Sequence, residues 1–206
     1  MGAFIAALLP IALVKWSKWE AALVVLVCLA CDSSMTIAAM LTGVTTYFWF
    51  KYTWRSLSIM VPMFLASFCF MTLVSILPNH DMFNINGRML PWKAAWEAFL
   101  QRPSGWGPGA WLGIDSRWNI NYHELYAQVH SDWLQLLFEG GVLTFGSFGL
   151  FIIRSLYNNN AVWSGVFVSL LVNSLANFPM RFAPTAFLFC LAVAMLYKGG
   201  HDTNTR

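Results

Sequence analysis

Apolar residues in this chain come in long blocks, not in strict alternation or narrow stripes. A membrane-spanning helix needs roughly 17 to 25 predominantly apolar residues, and four blocks reach or approach that length: 34–50, 56–77, 132–156 and 161–178. Three shorter blocks, 2–14, 19–31 and 182–197, are bounded by polar or aromatic residues. The two leading ones read either as separate short spans or as one re-entrant pair. Polar residues collect in a single long interval, 78–131. The predicted fold class is therefore all-α: a polytopic transmembrane helix bundle of about seven spans with one large external loop. Its parts are leading transmembrane helices over 1–77, the loop over 78–131, and C-terminal transmembrane helices with a short cytoplasmic tail over 132–206.

The loop carries its own pattern. In MLPWKAAWEAFL (89–100), Met89, Trp92, Trp96 and Phe99 recur at helical spacing, with Lys93, Glu97 and Gln101 opposite. This predicts an amphipathic surface helix with its tryptophans at headgroup level, and Pro91 in a first turn where proline is tolerated. RPSGWGPGAW follows, and its three glycines and two prolines predict a tight turn.

Composition agrees with a membrane class. Of 206 residues, 58% are hydrophobic and only 10% charged, too few to cover a soluble domain of this size. The net charge of +3 is too small to point to nucleic acid. The opening MGAFIAALLPIALVKW lacks a basic segment before its apolar run, so it reads as a first span, not a signal peptide. Lys15, Lys18, Lys51, Arg55, Arg154, Lys198 and Arg206 all fall on one side if the spans alternate. The positive-inside rule makes that side cytoplasmic and puts the 78–131 loop outside. An outward N-terminus that begins directly with an apolar run predicts a chain lacking leading spans of a longer relative. Cys28, Cys31, Cys69 and Cys190 lie in or beside apolar blocks and imply packing, not a disulfide framework.

Candidate chemistry is sparse. GWGPG lacks the strand and helix that a dinucleotide site requires. His123-Glu124 opens like a zinc-protease motif, but Ala127 stands where its second histidine belongs. No metal and no cofactor are expected. His130 precedes Ser131, a good N-cap, and Asp132, suited to a first turn. A histidine beside a helix N-terminus tends to stay neutral, the state a general base requires; a capping or interfacial histidine is the equal alternative. Asp132, Gln135 and Glu139 follow at spacings of three and four and share one face. Ionisable groups inside spans usually face the bundle or a wet cavity, and Gly140-Gly141 would permit close helix approach. Arg88 precedes the loop helix and suits bidentate contact with a phosphate. Arg181 lies on the outer side, against the positive-inside trend. Arg102, Arg181, Asp132 and Glu139 are the candidate substrate-binding residues, with His130 and Arg88 the candidate catalytic pair.

Four pieces in order carry a resemblance: a Gly-Arg ahead of a tryptophan-bearing helix, RPSGWGPGAW, VHSDWLQLLFEGGVL and VNSLANFPMRFAPTAFLF. Over roughly residues 80–197 the chain resembles the C-terminal portion of the O-antigen ligase and polymerase family of bacterial envelopes. The resemblance implies a metal-independent glycosyltransferase in the bacterial inner membrane, multi-pass, with its active face in the periplasm. It would move a glycan from undecaprenyl pyrophosphate to a hydroxyl of a lipid, glycan or protein acceptor, among membrane lipids. The family's loop arginine falls on Arg88, implied to hold the pyrophosphate. Its loop histidine falls on His130, implied to position or deprotonate the acceptor hydroxyl. One position departs from the pattern: Met35, in CDSSMTIAAM, stands where the family has the arginine of an S-R-G. The alternative reading is a truncated or accessory, non-catalytic membrane protein that retains the family fold.

Overall fold

The computed structural model describes residues 2–30, 34–52, 85–113, 129–157 and 160–202. The expected span 56–77, together with Cys31, Cys69, His80 and His123, lies outside them. Among the described residues the regular structure is entirely helical: α1 (Gly2–Lys15), α2 (Lys18–Ala30), α3 (Ser34–Tyr52), α4 (Ile85–Gln101), α5 (Asp132–Leu156), α6 (Ala161–Asn173) and α7 (Ala183–Asp202). Two short 3-10 turns, Ala110–Gly113 and Pro179–Arg181, complete it. Among these, α5 is long and apolar enough to cross a membrane; α1, α6 and Ala183–Lys198 of α7 are shorter apolar helices.

The chain divides into two compact units. The first holds Met1–Phe83, Arg154–Asn173 and Pro179–Arg206. Ala6, Leu9, Ala12, Val24, Cys28, Ala39, Met40 and Val44 are buried together between α1, α2 and α3, and Phe167 of α6 is fully buried, stacked on Phe189 of α7 at 5.2 Å. A two-residue link joins α1 to α2, and Ser17-Lys18-Trp19-Glu20 closes it as a capping box. The Ser17 N–H donates to Glu20 Oε2 at 2.6 Å, and the Glu20 N–H donates to Ser17 Oγ at 3.3 Å. Helices α3 and α6 meet at Gly43 and Gly165. A Cβ on Gly43 would come within 2.9 Å of the Gly165 carbonyl oxygen, and one on Gly165 within 3.0 Å of the Pro10 ring. Such close crossings need residues without side chains, the usual device for packing helices in lipid. The expected block 161–178 ends early, at Asn173, because Asn173, Ser174 and Asn177 interrupt the apolar run before Pro179.

The second unit, Asn84–Ile153 with Ser174–Phe178, is built around an aromatic cluster. Ala94, Ala95 and Ala98 of α4 pack with Trp111, Val129 and Phe138. Trp106 stacks on Phe138 at 6.3 Å, and Trp111 meets the same ring edge-on at 5.7 Å.

One expectation for α4 is corrected. The helix begins at Ile85, so Pro91 falls in its second turn, not its first. It also buries the alanine side along with Phe99, while Trp96 and Leu100 point outward beside the Lys93–Glu97 ion pair. The reason is steric: alanines let α4 approach the Trp111–Phe138 cluster closely, and the bulky indole of Trp96 stays out.

Candidate active site at the head of a broken helix

The geometry of α5 organises the second unit. Gly141 sits inside it with φ 72° and ψ −174°, a conformation that breaks the helix. Only glycine adopts it without strain. The glycine-rich loop after α4 enters the break. The Val142 N–H, whose regular helical acceptor would be the Phe138 carbonyl, donates to Pro103 O at 3.0 Å. That Phe138 carbonyl accepts from the Trp106 N–H at 3.0 Å, and the Glu139 carbonyl from the Gly107 N–H at 3.0 Å. Buried backbone groups freed by the break are thus repaired by a second strand of chain. Gly105 (φ 90°) makes the approach possible, since a Cβ there would stand 2.5 Å from the Glu139 carbonyl oxygen. The close approach expected of Gly140-Gly141 therefore serves a loop, not a neighbouring helix.

His130 stands at the head of α5. Among the described residues it is the one non-glycine with positive φ, at 57°. Ser131 caps the helix as expected, its Oγ accepting from the Leu134 N–H at 3.3 Å. The Asp132 N–H is shared between the carbonyls of Ser174 and Asn177, each at 3.1 Å. Trp133 Nε1–H donates to Ser174 Oγ at 2.6 Å, and the Phe178 ring meets the His130 ring at 5.2 Å and 65°. Segment 174–178 thus wraps the first turn of α5.

The other expected site residues divide. Gln135, buried, donates from Nε2 to Glu139 Oε1 at 2.7 Å, so these two do share a face. Asp132 is half-buried in the first turn. Arg102 is exposed and lies over the Trp106 ring at 5.7 Å, at the entry to the inserted loop. Arg88 falls in the first turn of α4, with its side chain outside the described residues. Arg181 is exposed in the 3-10 turn of the other unit. Among the described residues no three His, Cys, Asp or Glu side chains come together.

Residues 19–149 match the family described as O-antigen ligase, more than half of the chain. The chain belongs to the O-antigen ligase family. No curated protein and no solved structure matches it. Membership makes it a membrane protein of the O-antigen ligase type, a class of glycosyltransferases typical of the bacterial inner membrane, whose partners are a lipid-linked glycan and an acceptor. Arg88, Arg102, His130, Asp132 and Glu139 lie inside the matched stretch; Arg181 lies beyond it.

Two contacts of this region were not foreseen from the sequence. Phe178 gave no local signal, because its partner His130 is far away in the chain. The Gly105–Gly141 joint gave none either: the loop glycines read as a tight turn and Gly140-Gly141 as a helix crossing, and nothing local couples the two.

Proposed function

We propose that the chain transfers a glycan from undecaprenyl pyrophosphate to an acceptor hydroxyl, with His130 and Arg88 as the catalytic pair. The observation that carries this reading is His130, held in a left-handed backbone conformation at the capped head of α5 within the family's matched stretch. Strained backbone of this kind persists where surroundings over-determine it, and it concentrates at working sites. In the proposed step the acceptor oxygen attacks the anomeric carbon of the donor sugar. The bond from that carbon to the pyrophosphate oxygen breaks, and its electron pair leaves with undecaprenyl pyrophosphate. The hydroxyl proton passes to the imidazole of His130. The guanidinium of Arg88 takes the charge growing on the pyrophosphate through two parallel hydrogen bonds. Arg102, Arg181, Asp132 and Glu139 are assigned to binding donor or acceptor, and no metal takes part.

The same proposal holds about seven spans, with 78–131 periplasmic and Val142–Leu156 the part of α5 that meets lipid. In a background with Cys28, Cys31, Cys69 and Cys190 replaced by alanine, Ser104→Cys should react with an impermeant thiol reagent in intact spheroplasts. Labelling only after lysis rejects that topology.

The activity is tested in a strain lacking its own ligase or polymerase, and with purified protein in EDTA. His130→Ala should abolish transfer at normal protein level. Arg88→Lys should lower it on the order of 100-fold, because lysine keeps the charge and loses the planar fork. Near-normal transfer by both variants rejects the catalytic pair, and loss in EDTA with rescue by a divalent ion rejects the metal-free step. Met35, in place of the family's arginine, favours a second reading as a non-catalytic partner; wild-type protein without transfer in both assays would support it.

A further inference from the structure

The backbone of His130 is fixed from several directions. Val129 before it is fully buried, Ser131 after it caps α5, and the Asp132 N–H is held by two carbonyls of segment 174–178. A fixed backbone does not by itself set the imidazole, whose two side-chain torsions depend on what the ring packs against. The Phe178 ring meets it at 5.2 Å and 65°, the edge-to-face arrangement that aromatic rings prefer. Phe178 is also the residue before Pro179, and a following proline biases its predecessor to an extended backbone. The ring is therefore presented from a stiff segment, which is itself tied to α5 through Ser174 and Asn177.

We infer that Phe178 is a positioning residue for glycan transfer: its ring holds the imidazole of His130 toward the acceptor hydroxyl, and segment 174–178 is the clamp that carries it. The inference rests on the catalytic reading of His130. A misplaced general base costs rate far more than it costs donor binding.

The test uses the full chain, purified into vesicles of phosphatidylethanolamine and phosphatidylglycerol, with undecaprenyl-pyrophosphate-linked oligosaccharide as donor and a glycolipid acceptor from the same source. Phe178→Leu keeps an apolar side chain of similar bulk and removes the ring. It should lower kcat on the order of 10- to 100-fold with the donor KM within about twofold. Phe178→Tyr keeps the ring and should recover kcat to within about threefold of wild type. Wild-type kcat in Phe178→Leu, with His130→Ala inactive, overturns the positioning role and leaves the reading of His130 standing. Equal loss in the Leu and Tyr variants, or loss that follows protein amount, makes Phe178 a packing residue and also overturns it. Transfer retained by His130→Ala overturns the reading of His130 and this inference together.

Discussion

The two halves of α5 belong to one helix but sit in different surroundings. From Ser131 to Gly141 no residue is exposed, and the helix is sheathed by α4, the glycine-rich loop and segment 174–178. From Val142 onward the helix is bare along much of its length, with Leu143 86% exposed, Leu150 69% and Ile153 68%. Hydropathy alone scores both halves as one span. The difference shows why polar groups are tolerated in the first half: Gln135 and Glu139 satisfy each other inside protein, about 13 Å of helix rise separates Asp132 from the break, and the bare half carries no acid.

Breaking the joint between the halves should have the largest effect. Gly141→Ala forces a side chain into a left-handed position against the Ser104 backbone, at a cost of at least about 3 kcal/mol. Folded yield after detergent extraction, read by size-exclusion chromatography, should collapse. Gly105→Ala should do the same, and the double variant should be little worse than either, because both disrupt one joint. Normal yield in Gly141→Ala would mean that the loop does not hold the break.

A charge placed in each half sharpens the contrast. Leu150→Asp in the bare half should cost about 2.5 to 3.5 kcal/mol if that surface meets hydrocarbon, and it should lower the amount of folded protein. Glu139→Gln in the sheathed half should leave that amount unchanged, since an amide still pairs with Gln135. Equal tolerance of both changes would show that the bare half is covered by protein or water. The smallest effect belongs to Gly109→Ala. Its φ of 74° disfavours a side chain, but nothing lies within 4 Å of the new Cβ, so the loss should be about 1 kcal/mol. A shift of the unfolding midpoint much larger than for a surface alanine would place a partner at that tip.

Much of this molecule was legible in its sequence wherever the signal was local. The limits of α5 follow from its apolar run and its Ser-Asp start, and the all-helical class follows from block lengths. The capping box at Ser17–Glu20 was equally open to reading, as serine followed three positions later by glutamate. The buried side of α4 was not, because Ala94, Ala95 and Ala98 face the aromatic cluster while Trp96 stays out, a choice set by a partner segment that spacing within the helix does not show. Nor was the break at Gly141: its meaning depends on a loop made well before it in sequence, and no periodicity couples two such segments. At the site, His130 and its cap were visible in HSD, whereas the Phe178 ring that meets the histidine lies beyond the following helix.

The broken helix also orders events during synthesis. At about 5–20 residues per second, the glycine-rich loop leaves the ribosome a few seconds before Gly141. By the proposed topology it must also cross the membrane before α5 can close around it. Until the loop arrives, the Val142 amide and the Phe138 carbonyl can close the regular helical bond to each other, and lipid offers them no other partner. The broken form of α5 therefore waits on translocation of a segment already made, so a slow secretion step would hold the helix in an unbroken form.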